Sequence, residues 1–276
     1  MTAFDPDTLS EALLPAVFEV GRLEMAHFAA GVAVERKSDK SPVTVADREA
    51  EAVIVAALSR IAPGIPIIAE EAVSAGHTPG EAALYFLVDA LDGTRLFVKG
   101  SPEFSVNVAL IAAGKPVYGL IYGPAIGRLY VSRSNGKAAV APLTVDSEIE
   151  FSKLSFQTLA TRSPNLNRLV AFNSQAQGDR AAGVLKDLKV SEARPYGSSL
   201  KFCLIASGEG DLYVRLGDTN EWDTAAGQAI LESAGGSVTT LDGQTLTYGR
   251  SGANYLNPHF IAWARQPLKT WTRAPT

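Results

Sequence analysis

The beginning of the chain shows hydrophobic residues at helical spacing. Apolar side chains in the segments 9–28 and 46–61 recur three or four positions apart, which predicts two amphipathic helices. Gly31 follows the first segment and a Pro-Gly pair follows the second, and both are residue types that end helices. The chain is therefore predicted to begin with two helices, joined by a loop at 37–42.

Shorter apolar runs after residue 64 have the length and composition of β-strands. Two of them, 65–69 and 83–88, end in acidic residues. Three more are separated by glycine-containing turns, and they lie at 105–112, 116–121 and 128–131. Their short connections predict an antiparallel meander.

The second half of the chain alternates strand-like and helix-like segments. Strands are predicted at 169–172, 211–215 and 260–263, and helices at 179–188, 198–206 and 223–234. Alternation of this kind implies a sheet with helices packed on its faces. The mixed segment 132–157 is expected to cross between two lobes, which we predict to comprise residues 1–140 and residues 141–276.

Composition and charge narrow the class of protein. The 276 residues are 46% hydrophobic and 20% charged, which suits a chain with a large core. A net charge of −4 without a basic run argues against a duplex nucleic acid as partner. The single cysteine, Cys203, lies in an apolar run and is predicted to be a buried, inert thiol. We see neither a secretory signal nor a transmembrane segment and expect a cytoplasmic protein, with peripheral association with the inner membrane left open.

Carboxylates stand where predicted strands end and a predicted helix begins. Glu70 follows the strand at 65–69, Asp89 and Asp92 follow the next, and Asp223 begins a helix. Crowded carboxylates need a cation to neutralise them, and Mg²⁺ or Mn²⁺ suits oxygen ligands. Taken alone, Asp223 fits a residue that complements a helix dipole, but beside the two other aspartates it is an expected ligand.

The sequence DALDGT at 89–94 carries the strongest pattern. Asp89 and Asp92 lie on a predicted tight turn, Gly93 permits close approach of the backbone, and Thr94 adds a hydroxyl. A plain Asp-Gly turn is the ordinary alternative, but the apolar strand before it favours a metal–phosphate site. Two residues rather than one separate the aspartates, which favours a metal-activated water over the aspartyl-phosphate chemistry of haloacid dehalogenase-like phosphatases.

Three acidic motifs together resemble those of the inositol monophosphatase-like phosphatases, which are Mg²⁺-dependent and lithium-sensitive. The motifs are IAEE at 68–71, VDALDGT at 88–94 and WDTAAG at 222–227. The sequence GSSLKFC at 197–203 resembles the bacterial 3′(2′),5′-bisphosphate nucleotidase branch of this family. The resemblance implies a layered αβαβα sandwich of the inositol monophosphatase/fructose-1,6-bisphosphatase type, with the site between two lobes.

The resemblance also implies a role for each candidate residue. Two or three Mg²⁺ ions, with Mn²⁺ as an alternative, would be held by Glu70, Asp89, the Leu91 carbonyl, Asp92 and Asp223. Substrate would be contacted by these ligands except Asp89, and by Gly93, Thr94, Ser198, Lys201 and Arg215. Most metal ligands then belong to the first lobe, whereas Asp223 and the nucleotide contacts belong to the second.

The implied reaction is hydrolysis of a phosphate monoester by direct attack of water. The expected substrate is adenosine 3′,5′-bisphosphate, which would give AMP and phosphate as part of sulfur metabolism. Glu70 or Asp47, acting through Thr94, would orient the water and accept its proton. Asp47 equally fits a helix capping box, and the two roles are compatible.

Departures from the family pattern keep other interpretations open. Ala90 stands where the family usually has Pro, and Arg95-Leu96 stands where Lys-Glu is frequent. The sequence NSQ at 173–175 replaces the Arg-Ser-His that is often found in the nucleotidases. An inositol phosphate or a sugar phosphate therefore remains an alternative substrate, and a non-catalytic phosphate-binding regulator remains a third interpretation. The sequence does not predict the oligomeric state.

Overall fold

Two long helices begin the chain, as the apolar spacing predicts. Helix α1 spans Pro6–Ala30, and helix α2 spans Val45–Ile61. The side chain of Asp5 caps α1 by accepting the N–H of Thr8 at 2.9 Å, and Gly31, at a φ of 73°, ends it. Both predicted helices are thus confirmed, and the two ends of α1 follow the capping preferences of Asp and Gly.

The remaining helices are short. The structure, a computed structural model, describes residues 4–36, 42–80, 82–174 and 181–267. Its further α-helices are α3 (Glu70–Ser74), α4 (Thr94–Val98), α5 (Ala182–Asp187), α6 (Leu200–Ala206) and α7 (Ala225–Ser233). Short 3₁₀-helices lie at Pro124–Ile126, Phe151–Lys153, Glu221–Asp223 and Ser251–Ala253. No helix among these residues is long and apolar enough to cross a membrane.

The three helices predicted in the second half of the chain differ from the structure in their bounds. The helix predicted at 198–206 begins at Leu200, as α6. Of the helix predicted at 179–188, residues 179 and 180 lie outside the described residues, and α5 covers much of the rest. The helix predicted at 223–234 begins later, because a 3₁₀ turn at Glu221–Asp223 precedes α7. Most of the loop predicted at 37–42 lies outside the described residues; the described strands that flank it, β1 (Val34–Arg36) and β2 (Pro42–Thr44), pair as an antiparallel hairpin.

The larger sheet contains the predicted meander. Among the described residues its strands lie in chain order: β3 (Ile67–Ala69), β4 (Leu84–Asp92), β5 (Ser105–Ala112), β6 (Lys115–Gly123), β7 (Arg128–Ser132), β8 (Ala138–Pro142) and β9 (Gln157–Thr158). Only the β3–β4 pair is parallel within this described sheet. Strands β8 and β9 were not predicted, and β8 crosses residue 140, so the sheet extends into the segment assigned to the second lobe. The division into two lobes itself stays a prediction.

The smaller sheet has two edge strands that the sequence pattern missed. Its strands are β10 (Leu169–Asn173), β11 (Val190–Pro195), β12 (Leu212–Arg215), β13 (Ser237–Thr240) and β14 (Phe260–Trp263), in the spatial order β11-β10-β12-β14-β13. The three predicted strands, β10, β12 and β14, are the inner ones. Strand β11 is mostly exposed and β13 is half-buried, so neither shows the apolar run by which a central strand is recognised.

The two sheets and the helices form alternating layers. Helices α1 and α2 pack on one face of the larger sheet, through residues such as Leu13, Ile54 and Val108. The opposite face of that sheet and the smaller sheet enclose α6 and α7 in a second core. Helix α5 covers the outer face of the smaller sheet, against residues such as Val214 and Trp263. The order helix, sheet, helix, sheet, helix confirms the predicted αβαβα sandwich.

A close approach between α7 and the larger sheet fixes the middle layer. A Cβ placed on Gly119 of β6 would lie 2.3 Å from the carbonyl oxygen of Ala226, a distance that real side chains do not tolerate. Glycine at this position therefore lets the start of α7 contact the sheet directly. The turn that carries Asp223 immediately precedes this contact, so the packing holds it near the larger sheet.

Candidate active site

A cavity of about 830 Å³ lies where β4 and α4 face α6, β12 and the turn before α7. All the predicted metal and substrate residues line it, namely Glu70, Asp89, Leu91, Asp92, Gly93, Thr94, Ser198, Lys201, Arg215 and Asp223. Asp47, the remaining candidate, does not line the cavity but is bonded to Thr94. The volume is within the range of small-molecule sites, roughly 300–1,000 Å³. The structure thus brings the predicted residues together in one place.

The DALDGT sequence is shaped differently from the prediction. Instead of a tight turn, β4 continues through Asp92, with a shift in its pairing to β5 between Asp89 and Asp92. Ala90 and Leu91, the two apolar residues between the aspartates, are buried. The strand therefore continues past Asp89 as a β-bulge and does not turn out into solvent. The chain leaves the strand at Gly93. This position requires glycine, because its φ is 99° and an added Cβ would lie 2.9 Å from the Glu103 carbonyl oxygen.

Three carboxylates from three separate segments converge at one end of the cavity. Glu70, Asp89 and Asp223 each place a carboxylate oxygen within 4.8 Å of those of the other two. Burial raises the pKa of Asp223 to about 6, and the Asp92 carboxylate adds to the rise. Oxygen-only donors of this kind match hard divalent cations such as Mg²⁺ or Mn²⁺. The residues present therefore fit the predicted metal.

Asp92 lies beside the three carboxylates and contacts the N-terminal end of α6 and the residue before it. The backbone N–H of Ser199 donates to Asp92 Oδ2, and the nearby Lys201 ammonium opposes the rise in the Asp92 pKa that burial causes. Burial lowers the pKa of Lys201 itself to about 8, and its Nζ donates to the carbonyl of Ser198. Asp92 is not among the three carboxylates that meet within 4.8 Å, so its role as a ligand stays a prediction.

Asp47 makes both of the contacts that the sequence suggested. Its Oδ2 accepts the N–H of Thr44 at 2.7 Å and the hydroxyl of Thr44 at 2.6 Å, which completes the capping box of α2. Its Oδ1 accepts the hydroxyl of Thr94 at 2.7 Å. One oxygen therefore caps the helix, and the other is bonded to a residue that lines the cavity. The catalytic role of Asp47 stays a prediction.

Several polar residues that support the site were not among the predicted site residues. Ser199 Oγ donates to Asn107 Oδ1 at 2.7 Å and lies 3.0 Å from Ser105 Oγ, and these groups are buried next to Asp92. Thr219 Oγ1 donates to Asp223 Oδ2 at 2.7 Å. Polar residues inside the otherwise apolar β5 were the available indication, because a buried polar side chain requires a partner.

Helix α1 carries a buried glutamate, Glu24, that lies close enough to Asp47 for the two charges to interact. Glu24 is 0% exposed, and neither of its carboxyl oxygens has a hydrogen-bond partner among the residues that the structure describes. Burial raises the pKa of Glu24 well above its ordinary value of 4.5, and the Asp47 charge adds to this rise. An unpartnered buried carboxyl destabilises the native state.

Replacing Glu24 with Met should raise the free energy of unfolding by about 1–3 kcal/mol, the usual desolvation penalty of an unsatisfied polar group. The folded pKa lies above the unfolded one, so the native state binds more protons and wild-type stability falls as pH rises above 4.5. The gain from the substitution should therefore grow from pH 5 to pH 8 in urea titrations. Glu19→Met, on the exposed face of the same helix, should change stability little at either pH; an equal effect of both substitutions would contradict the prediction.

The chain is similar in sequence and in fold to the proteins of one family. The model of the inositol monophosphatase family matches residues 5–270. The 3′(2′),5′-bisphosphate nucleotidase CysQ of Salmonella typhimurium is 40% identical over 225 residues, 82% of this chain and 86% of that protein. CysQ of Haemophilus influenzae is 30% identical over 265 residues, 92% of this chain and 93% of that protein.

Two solved structures have the same fold as this chain. CysQ from Bacteroides thetaiotaomicron superposes with a TM-score of 0.74 at 30% identity, and the match covers 95% of this chain and 98% of that one. The Thermotoga maritima IMPase TM1415 superposes with a TM-score of 0.72 at 25% identity, covering 91% and 90%. By its sequence and by its layered fold, the chain belongs to the inositol monophosphatase family.

Proposed function

We propose that this protein is a Mg²⁺-dependent phosphatase that removes the 3′-phosphate of adenosine 3′,5′-bisphosphate, giving AMP and phosphate. The observation that carries the proposal is the convergence of Glu70, Asp89 and Asp223 within 4.8 Å beside the bonded pair Thr94 and Asp47. Relatives of 38–40% identity named as 3′(2′),5′-bisphosphate nucleotidases support the choice of substrate. The proposal includes sensitivity to Li⁺ and action in the cytoplasm.

The carboxylate group would hold the metal ions, with the Leu91 carbonyl and Asp92 as further candidate ligands. When bound, divalent cations acidify water and neutralise phosphate oxygens. The carboxylates themselves fix where such cations sit, since Asp89 is anchored by the N–H of Leu91 on its Oδ1 at 3.0 Å, and Asp223 by Thr219. Anchored ligands keep the reacting groups in place before the substrate arrives.

Thr94 and Asp47 would orient the attacking water. A threonine hydroxyl has one proton to donate, and the 2.7 Å contact to Asp47 is shorter than the 3.3 Å contact to the Leu91 carbonyl. The Thr94 oxygen is then left as an acceptor toward the cavity. A water that donates to it would be oriented for attack on the phosphorus and could pass its proton toward Asp47 or Glu70.

The opposite wall of the cavity supplies cations for a nucleotide. Lys201 of α6 and Arg215 of β12 both line it, together with Ser198. Cationic side chains bind phosphate oxygens through charge-assisted hydrogen bonds. A substrate with two phosphates gains more from such a wall than a neutral sugar does, which favours the bisphosphate over inositol 1-phosphate.

Phosphate release with Mg²⁺ from three substrates tests the proposal. We expect kcat/KM for adenosine 3′,5′-bisphosphate to exceed that for inositol 1-phosphate by at least about tenfold, the effect of one lost charge-assisted contact, and we expect it to exceed that for fructose 1,6-bisphosphate as well. Addition of Li⁺ should lower the rate. A preference for inositol 1-phosphate or fructose 1,6-bisphosphate would support the alternative substrates instead. Tight binding of the nucleotide with no turnover of any ester would support a regulator.

A further inference from the structure

The turn that carries Asp223, residues 219–224, lies against a second part of the chain, residues 249–257, which we call the supporting segment. An antiparallel bridge joins Asn220 to Leu256, and backbone hydrogen bonds of 2.8 Å and 2.9 Å flank it. None of the described residues of the supporting segment lines the cavity. The segment therefore acts on the site through the turn.

Glu221 binds the first residues of the supporting segment. Its side chain is 0% exposed, and its carboxylate accepts the N–H of Gly249 at 2.9 Å and the N–H of Arg250 at 2.8 Å. The Arg250 guanidinium donates to the same carboxylate at 3.3 Å. Hydrogen bonds to an ionised group are stronger than neutral ones, and a buried carboxylate requires them. Glu221 therefore fixes the start of the supporting segment to the turn.

Asn257 fixes the other end of the supporting segment. Its side chain is buried, and its Nδ2 donates to the Asn220 carbonyl at 2.7 Å and to Thr224 Oγ1 at 3.0 Å. The N–H of Asn220 in turn donates to Asp223 Oδ2 at 2.8 Å. Asn257 thus binds the carbonyl of the same residue whose N–H binds the Asp223 carboxylate.

Two consecutive residues of the supporting segment have a left-handed backbone. The φ angles of Asn254 and Tyr255 are 50° and 58°, in a region that residues other than glycine rarely adopt. The Tyr255 carbonyl accepts the N–H of Glu221 at 2.8 Å, and the Asn254 carbonyl accepts the side-chain amide of Asn220 at 3.0 Å. The strained residues are therefore the ones whose carbonyls bind the turn. Strain of this kind persists where surrounding contacts enforce it, and it is typical of functional sites.

From these contacts we infer that Glu221 and Asn257, through the supporting segment, hold the Asp223 carboxylate in the position that binds a divalent cation. The inference rests on the metal site of the proposed function but not on the choice of substrate. Both are positioning residues, since neither lines the cavity. Outer partners of this kind affect metal affinity because they restrict a ligand to its binding orientation. The coupling is reciprocal, so a bound cation stabilises the contacts between the turn and the supporting segment by the same factor.

Titration of Mn²⁺ followed by electron paramagnetic resonance tests the inference. Glu221→Met keeps the approximate shape of the side chain without an acceptor, and Asn257→Leu does so without a donor. We expect each substitution to raise the Mn²⁺ dissociation constant at least about fivefold, the effect of one net hydrogen bond. Glu221→Gln also loses the charge but keeps an oxygen that can accept both N–H groups, so its affinity should stay close to that of the wild type.

Thr239→Val controls for lost stability. It removes the acceptor of the Trp263 Nε1–H, a buried hydrogen bond of 3.1 Å in the smaller sheet, and Thr239 does not line the cavity. We expect its melting temperature to fall while its Mn²⁺ affinity stays that of the wild type. Folded Glu221→Met and Asn257→Leu variants with wild-type affinity would overturn the inference and leave the proposed function standing. Equal losses in Glu221→Met and Glu221→Gln would also overturn it, because the lost charge alone would then explain the effect.

Hydrogen exchange of the wild type gives a second test that does not depend on the folding of a variant. Saturation with Mg²⁺ should slow exchange in peptides that cover the supporting segment at least about fivefold, the reciprocal of the expected change in affinity. The exposed turn at 134–137 should exchange at an unaltered rate. Unchanged exchange in the supporting segment with Mg²⁺ bound overturns the inference. A wild type that binds neither Mn²⁺ nor Mg²⁺ overturns the metal site, and with it the proposed function and the inference together.

Discussion

Asp89→Asn should lower kcat with Mg²⁺ by at least about 100-fold, the scale of losing one electrostatic element of a catalytic site. Asp89 is 3% exposed and shares its position with the carboxylates of Glu70 and Asp223. Removing one anion from this group lowers the attraction for a divalent cation. Titration of Mn²⁺ followed by electron paramagnetic resonance should show weaker binding alongside the lost turnover.

The substitution leaves the local structure intact, which makes the result interpretable. Asparagine keeps the shape of aspartate and retains the Oδ1 that accepts the N–H of Leu91 at 3.0 Å. The matched control is Asp218→Asn, an exposed residue that lines the same cavity but lies outside the carboxylate group. We expect the control to keep turnover within about threefold of the wild type, as surface changes usually do. Wild-type turnover in Asp89→Asn would remove the basis for a metal site.

The sequence indicated the residues of this site better than their geometry. Asp89 and Asp92 were recognised because carboxylates directly follow an apolar strand. Their placement on a bulged strand instead of a turn depends on pairing with Asn107 and Ser105 of β5, which lie more than twelve residues away in the chain. Register between strands is set by packing and by turns, so a local pattern could not supply it.

Burial was the property that local patterns predicted least well. The inner strands of the smaller sheet were found because both of their faces are covered, whereas β11 and β13 at its edges carry polar residues toward solvent. Glu24 lies among apolar residues of α1, but glutamate is a residue type that is usually exposed. Only the packing of the chain shows that Glu24 is buried. Similarly, the Ser199–Asn107 contact joins residues 92 positions apart. Long-range contacts of this kind decide which polar groups support a site.

Thr94→Val should lower kcat by about 100-fold, the lower limit of what a positioned proton-transfer group contributes. Valine has nearly the volume of threonine but no hydroxyl, so the 2.7 Å bond to Asp47 Oδ1 is lost. The bonds of Asp47 Oδ2 to Thr44 remain, and the cap of α2 is preserved. This choice separates the role at the site from the role in the helix, which a substitution of Asp47 would remove together.

Thr94→Ser is the matched control, because serine keeps the hydroxyl that donates to Asp47 and removes only a methyl group. We expect Thr94→Ser to retain kcat within about fivefold, while Thr94→Val loses it and still binds Mn²⁺ with wild-type affinity, since a transition-state effect changes kcat without changing ligand binding. Loss of Mn²⁺ binding in Thr94→Val would assign the hydroxyl to the metal site instead. Equal rates for the two variants would show that the bond between Thr94 and Asp47 has no part in orienting the water.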